Sequence, residues 1–593
     1  MICSAYITLC ETDISYAQSK VQSTDYILTD IYCPNHLGQT IDATFSDKYD
    51  MSLVANFSQW LMNIAIDNPN IYGYANALYQ SSIRPLAGYL SAIDAILEIE
   101  GAEGVEFHLP VDLHWQAKTS TYYLAEYESA GVGFYDRNAV LLPYIEQYLR
   151  EKGVSISRGK KKFPRQVGIY NPLRLWSVFV AKLFLDLKNF KNNEHAHSLN
   201  SFADASQVFI IRTVGQAITI LPYLKMTRHK TVVIIGMTYT DTGAFDLLVS
   251  CTKDFNNICI LRARQANFYQ TLNKYYQGFC NILKQRKVNF LYKGLSINLT
   301  QALKEVLVMM PNLALYNDQI KVPLSQINAK RLFTLEQKSP HAFIDASLAK
   351  IQKIPSAQIQ WCQQSFFDIP NPIVANFYFC ETPAIMRSFQ KAWPQYRDQV
   401  KYIGTFQGIK NSIKKRATKD INRTIKVCFF AGVERELNNN LFKFLSDFSD
   451  VNPIRFIVKL HPRDPEKYSK IFPQIDFVNT YMGTFSEFAA SFDLAVTLPS
   501  GVISDLLFTA TPFLVYMPDH NNYIRMEDSF LPEGMEPIKE ISLLLNMLLE
   551  IDAVSECHEI ILKNFKENHG LITDISVIEK NILHLLNDCV AEK

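Results

Sequence analysis

Residues 424–432 read TIKVCFFAG and residues 454–462 read IRFIVKLHP, with NNNLFKFLSDF (438–448) between them. IDFVNT (475–480), FDLAVTLPS (492–500) and PFLVYMP (512–518) follow at similar intervals. Each is a short run of apolar, β-branched and aromatic residues bounded by Pro, Gly or Asn, and helix-length segments such as GVISDLLFTA (501–510) separate several of them. Runs that are apolar throughout, rather than alternating, belong to strands buried on both faces. Strands of that kind interleaved with helices make a parallel sheet with helices on either side, so this half of the chain reads as α/β. The closing stretches ISLLLNMLLEI (541–551) and VIEKNILHLLNDCV (577–590) carry a helical period.

Upstream, GTFQGIKNSIKKRATKDINR (404–423) is polar and basic and lacks an apolar period, which makes 406–423 a linker. Before it the same alternation runs through SQVFIIRTV (206–214), KTVVIIGM (230–237), NICILRA (257–263), LALYND (313–318), RLFTLE (331–336), AQIQWCQ (357–363) and NFYFC (376–380), all read as strands. FYQTLNKYYQGFCNILKQR (268–286) and TQALKEVLVMM (300–310) read as helices. The expected architecture is therefore two Rossmann-like domains with parallel sheets, 201–405 and 424–593, facing a cleft. Residues 1–200 hold strand-like DYILTDIYC (25–33) and VEFHLPVDLHW (105–115) and helical 72–101, and are expected to elaborate the first sheet.

Composition removes several classes. At 593 residues, with 48% hydrophobic and 20% charged, the chain has enough apolar matter for two to four cores and is not disordered. Lys and Arg number 59 against 58 Asp and Glu, a balance that argues against a general nucleic-acid coat. None of the 11 cysteines forms a C-x-x-C pair, and Cys259 and Cys428 stand inside apolar strands, as reduced thiols of a cytosolic protein do. The opening MICSAYITLCETD lacks a basic start, so no secretory leader is expected. No uncharged apolar run reaches 18 residues, so no membrane-spanning helix is expected, nor does any 20–50-residue repeat suggest a solenoid.

The chemistry concentrates where strand IRFIV runs into Lys459, Leu460, His461, Pro462 and Arg463. In an open α/β sheet, ligands bind beyond the carboxyl ends of the strands. Pro462 ends the strand and holds the preceding His461 extended. An imidazole beside a lysine and an arginine suits an anionic phosphate leaving group: it donates a hydrogen bond or a proton while the cations offset developing charge. A second strand-to-helix turn, Thr497-Leu-Pro-Ser-Gly-Val-Ile-Ser-Asp505, follows. Gly501 permits close backbone approach, and Ser500 can cap the helix and meet a phosphate oxygen. A cluster that merely faces water and a serine that only caps are the plainer readings.

Together these motifs resemble the C-terminal donor domain of GT-B glycosyltransferases, nearest to bacterial surface-polysaccharide enzymes such as sialyl-, polysialyl- and Kdo-transferases. The resemblance rests on KLHP (459–462), the Ser500-Gly501 turn and TPFLVY (511–516), and covers about residues 424–593. It implies that His461 and Pro462 form one motif and Ser500 with Gly501 another, holding the CMP of a CMP-activated acidic sugar. Glycerophosphotransferases of teichoic acid synthesis share a similar His-Pro strand. A weaker resemblance places Glu336 as a carboxylate after one strand and Gln363-Gln364 where related transferases carry a Gln-His-Gly loop; the histidine is absent here. Asp241-Thr-Gly243 only partly echoes the acidic motif of sialyltransferases.

Glycosyl transfer needs a carboxylate, as base toward the acceptor or as nucleophile or ion-pair partner at the sugar. Glu336 ranks first because it interrupts an apolar strand exit; Asp241 is second, with Glu434 and Glu436 beside the Ala431-Gly432 turn. Dipole-stabilising acids at a helix start are the plain alternative for the last two. Arg212, inside VFIIRTVG, suits either an acceptor or sugar carboxylate or a structural ion pair. His108 with His114, and His195 with His197, join no metal constellation, so no metal or cofactor is expected. Residues 150–191 carry eleven Lys and Arg against Glu151 and Asp186, with Trp176, Phe179, Phe184 and Leu187 at helical spacing. That fits either contact with anionic lipid or an ordinary core helix.

The expectation is thus a metal-independent glycosyltransferase in the cytoplasm, or at the inner face of a bacterial inner membrane. It moves a Kdo-, sialic- or nonulosonic-type sugar from CMP to a surface glycan or glycolipid. Two rivals are a UDP-sugar or CDP-polyol donor on the same fold and a non-catalytic scaffold in capsule assembly.

Overall fold

The computed structural model describes residues 2–591 apart from the segments 30–37, 44–50, 66–68, 80–82, 111–136, 159–171, 189–198, 237–242, 264–266, 336–338, 361–372, 407–423, 433–434, 450–453, 462–467, 479–484, 499–501, 518–534, 551–553 and 564–571, and the single positions 10, 393, 508, 510, 555, 562 and 573. By compactness it divides into two units. The first is Met1–Trp361 with Phe366–Phe379 and Leu583–Lys593, and the second is Cys362–Ser365 with Cys380–Ile582.

The first unit contains two parallel sheets. Strands β1 (Cys3–Ile7), β2 (Tyr26–Thr29), β3 (Gln39–Asp42), β4 (Val105–Leu109) and β5 (Ser155–Arg158) form one, in the order β3-β2-β1-β4-β5. The expected elaboration over 1–200 is corrected here: these strands build a sheet of their own instead of extending the next one. The strands are only four or five residues long and separated by long helical insertions such as Arg84–Glu100. Their alternation was too sparse to announce a sheet.

The second sheet uses β6 (Gln207–Ile211), β7 (Thr231–Ile235), β8 (Ile258–Arg262), β11 (Leu332–Thr334), β12 (Ser356–Ile359) and β13 (Phe377–Cys380), with the hairpin β9 (Asn289–Tyr292) and β10 (Leu295–Asn298) set apart as a two-stranded piece. Its order, β13-β12-β11-β6-β7-β8, reverses between β6 and β11, the doubly wound arrangement. Every residue of β6 and β7 is buried, which is why both read as unbroken apolar runs; each fully buried large apolar side chain contributes roughly 1.5–3 kcal/mol. Phe209 and Phe333 stack across the β6–β11 pair at 4.7 Å. Helix starts carry their caps: Thr213 accepts from Gln216 N, and Asn267 with Gln270 makes a capping box.

One strand expectation fails. LALYND (313–318) lies inside the helix Thr300–Ser325, which runs straight through Pro311. Leu303, Val306, Leu307, Met310, Leu313, Ile320 and Leu324 are buried at helical spacing. The ring of Pro311 sits against Gly278 of the neighbouring helix, where a Cβ would come within 2.5 Å of Pro311 Cγ.

The second unit contains β14 (Val400–Tyr402) and a sheet of β15 (Ile425–Phe430), β16 (Ile454–Lys459), β17 (Asp476–Val478), β18 (Leu494–Thr497) and β19 (Phe513–Val515), in the order β17-β16-β15-β18-β19. All four pairings are parallel. Cys428, Phe430, Phe492, Leu506, Phe513 and Val515 share its core. The α/β expectation for 424–593 holds strand for strand.

Candidate functional site

The order of the last sheet reverses between β15 and β18, and the register shows where their ends fall. Phe430 pairs with Lys459 on one side and with Thr497 on the other, while Lys459 pairs with Val478 and Thr497 with Val515. All five strands therefore finish at one level, leaving a carboxyl edge with a switch point at β15. The backbone continues that edge for one more residue: Ala431 N donates to Lys459 O at 3.0 Å and Leu460 N to Val478 O at 3.0 Å.

His461 stands two residues past the end of β16 on this edge and is half-buried. Lys459 is half-buried as well, and its Nζ donates to Leu460 O at 2.8 Å. Burial lowers its pKa from the ordinary lysine value, opposed by the Cys428 thiol nearby. On the far side of β15, β18 ends at Thr497, whose Oγ1 donates to Leu498 O at 2.7 Å; Ser500 and Gly501 follow in the sequence. The turn after β15 is held by Asn438, a buried residue of the helix Arg435–Ser449, whose Nδ2 donates to Gly432 O at 3.0 Å. Sequence reasoning passed over Asn438; an asparagine in an otherwise apolar helical stripe, next to buried Leu437 and Leu441, was the available signal.

Of the other residues singled out on this edge, Pro462, Arg463, Ser500, Gly501 and Glu434 lie outside the described residues. So do Asp241, Glu336, Gln363 and Gln364 in the preceding half, and His114, His195 and His197. What the structure brings together is thus the strand framework, with Lys459 and His461 on one side of β15 and the end of β18 on the other.

Arg212 is placed firmly. It follows β6 at the switch point of the second sheet, with its side chain 2% exposed. Its Nη1 lies 2.5 Å from Asp345 Oδ2 and 2.9 Å from the Tyr316 hydroxyl. Tyr316 donates to Asp345 Oδ1 at 2.9 Å, and Thr334, the last residue of β11, donates to Oδ2 at 3.1 Å. Asp345 is fully buried; burial pushes its carboxyl above the usual range, while Arg212 and the three hydrogen bonds pull the other way. A Cβ on Gly236, just past β7, would come within 2.5 Å of the Tyr316 ring, so the residue must be glycine for Tyr316 to reach this network. Of the two readings of Arg212, the ion-pair partner is the one this geometry realises; an acceptor-binding role has no support from a side chain enclosed in this way. Asp345 and Tyr316 were missed, although an arginine amid FIIRTV demands a buried acid, and FIDASL carries one.

His108 stacks on Tyr6 at 4.6 Å with an interplanar angle of 14°, and burial lowers its pKa. No group of three or more His, Cys, Asp or Glu side chains among the described residues is placed to hold a metal ion. No helix among them is long and apolar enough to cross a membrane.

No family model matches the chain, and no curated protein matches it. Solved structures do show likeness. The O-GlcNAc transferase of Thermobaculum terrenum, in a mutant form, is 9% identical with a TM-score of 0.41, covering 93% of this chain and 98% of its own. The calicheamicin glycosyltransferase is 8% identical at 0.41, covering 64% and 98%. A wall teichoic acid polymerase is 8% identical at 0.35, covering 71% and 97%. Scores and identities this low carry no argument about activity.

Proposed function

We propose that the chain is a glycosyltransferase of the GT-B kind, working without a metal, and that its donor is a CMP-activated acidic sugar of the Kdo or nonulosonic type. The single observation that supports this reading is the carboxyl edge of the last sheet. His461 and Lys459 leave β16 on one side of β15, and β18, which Ser500 and Gly501 follow in the sequence, ends on the other, at the switch point where α/β sheets take their ligands.

In this reading the imidazole of His461 donates to an oxygen of the departing nucleotide phosphate, and Lys459 and Arg463 offset its charge. Ser500 and the backbone at Gly501 bind a second oxygen. Such stabilisation acts where charge develops as the sugar–phosphate bond breaks, which is where it lowers a barrier most. Glu336, or failing it Asp241, supplies the carboxylate that acts on the sugar centre or the acceptor hydroxyl. The acceptor is a surface glycan or its lipid-linked precursor.

The test is a comparison of CMP, CDP and UDP as stabilisers of the protein against heat, paired with donor hydrolysis by wild type and His461→Ala. A CMP-sugar transferase is stabilised most by CMP, and its hydrolysis falls by roughly two to four orders of magnitude in the variant, the range general acid–base groups contribute. Preference for UDP or CDP moves the assignment to the other donors. Equal behaviour of wild type and variant marks the edge as vestigial and the chain as a scaffold.

A further inference from the structure

The helix Phe268–Lys284 in the first unit carries one buried apolar face and, beside it, a second apolar face that is exposed. Thr271, Tyr275, Gly278 and Ile282 are buried where it packs against the helices Thr300–Ser325 and Pro172–Lys188. Phe268, Tyr269, Leu272, Tyr276, Phe279 and Leu283 are exposed, Tyr269 at 81%, Tyr276 at 69% and Leu283 at 63%. At about 100° per residue these six fall within one arc of roughly 100°, a continuous stripe beside the buried face. The stripe continues onto the helix Pro172–Lys188, where Trp176 meets Phe279 at 5.0 Å and Val180 and Phe184, at i+4 and i+8 from Trp176, are exposed. Scattered exposed apolar residues need no explanation, but a contiguous two-helix patch this aromatic does.

Its electrostatic setting selects the occupant. Between Asp254 and Glu305 the sequence has no acidic residue and eight Lys and Arg. Lys284, Arg286 and Lys287, at the end of the stripe next to Leu283, are exposed and have no ion-pair partner among the described residues. Two tyrosines on the stripe, Tyr269 in the first turn and Tyr276 near its middle, each with an apolar body and a polar tip, suit the boundary between acyl chains and headgroups.

We propose that this surface, the exposed stripe of Phe268–Lys284 with Trp176, Val180 and Phe184, docks the protein on an anionic lipid bilayer, with Lys284, Arg286 and Lys287 facing the headgroups. It extends the lipid contact from the helix Pro172–Lys188, within the basic stretch 150–191, onto the helix Phe268–Lys284 outside it, and stands independently of the glycosyl-transfer reading, since the binding requires no donor. An apolar stripe with flanking cations binds a membrane surface by burying its side chains at the acyl boundary while the charges add affinity for anionic lipid.

The test is cosedimentation of the full chain with vesicles of phosphatidylcholine alone and of phosphatidylcholine with phosphatidylglycerol, at low and high salt. The expected result is binding to the anionic vesicles, weakened on the order of tenfold or more on neutral ones or in high salt. Tyr276→Ser with Leu283→Ser lowers partitioning on the order of tenfold or more, with an unchanged melting profile because both side chains are exposed. Arg286→Gln with Lys287→Gln lowers it about fivefold per charge on anionic vesicles only. The proposal is overturned if wild type ignores both vesicle types, or if both variants bind as wild type does. It is equally overturned if the chain dimerises in solution and Tyr276→Ser with Leu283→Ser abolishes the dimer, which gives the surface to a second copy.

Discussion

Arg212→Met should produce a stability loss that depends on pH in a direction opposite to ordinary acid denaturation. The substitution removes the cation 2.5 Å from a fully buried carboxylate and leaves Tyr316 and Thr334 as its remaining donors. Removing one member of a buried pair costs about 3–5 kcal/mol because the surviving charge is uncompensated. Asp345 has a cheaper course, which is to hold a proton, since burial already pushes its pKa up and the chief opposing influence is gone. The folded variant then binds one proton more than the unfolded chain at any pH above about 3.9, where a free aspartate ionises. Stability consequently falls as pH rises, by about 1.4 kcal/mol per unit. The deficit is small near pH 4.5 and reaches about 4 kcal/mol near pH 7, or less if the buried carboxyl ionises first. Urea unfolding followed by tryptophan fluorescence at a series of pH values, wild type against variant, measures it. Arg212→Met combined with Asp345→Leu should recover most of the loss and remove its pH dependence. A deficit equal at pH 5 and pH 7.5, or below about 1 kcal/mol at neutrality, would refute the reasoning.

Three further outcomes are expected. His558, buried against Phe513 at 6.0 Å, has its pKa held down to about 4 by burial; the unfolded chain takes up the proton first, so stability is lost as pH falls from about 6.5 to about 4, by at most about 3 kcal/mol. His558→Phe should flatten the acid limb of a melting-temperature profile, and an unchanged limb would discount the burial. Gly404 has φ of +126°, and a Cβ there would lie 2.4 Å from Ile578 Cγ1 and 2.9 Å from Ile572 O; Gly404→Ala should cost about 1–3 kcal/mol and raise amide exchange at Thr405, which donates to Ile572 O. Asn438→Ala releases the Gly432 carbonyl, and nucleotide affinity should drop about tenfold, the equivalent of one hydrogen bond to a positioning group, with little change in the protein's fold by circular dichroism.

Burial decided what could be read in advance. Strands β6, β7, β15 and β18 are enclosed on both faces, so VFII, VVII, VCFF and LAVT state their own role. LALYND reads as a strand because a short apolar run does not by itself tell a strand from a buried helix; in the fold it lies in the helix Thr300–Ser325, whose Pro311 packs against Gly278, 33 positions away in the sequence. The N-terminal sheet stayed hidden because strands such as QTID carry few apolar residues, and long insertions separate neighbours. At the site, the His-Pro strand was legible because a basic cluster at a strand exit is a local pattern. Asp345, Tyr316 and Asn438 were not, since each acquires its role from a partner at least six positions away, up to 133 in the Arg212–Asp345 pair.

The most direct test of the account is a crystal structure of the protein soaked with CMP. The phosphate is expected at the carboxyl edge of the last sheet, within hydrogen-bonding distance of both the His461 imidazole and Ser500. A nucleotide bound at any other place, or one that touches neither group, would contradict it.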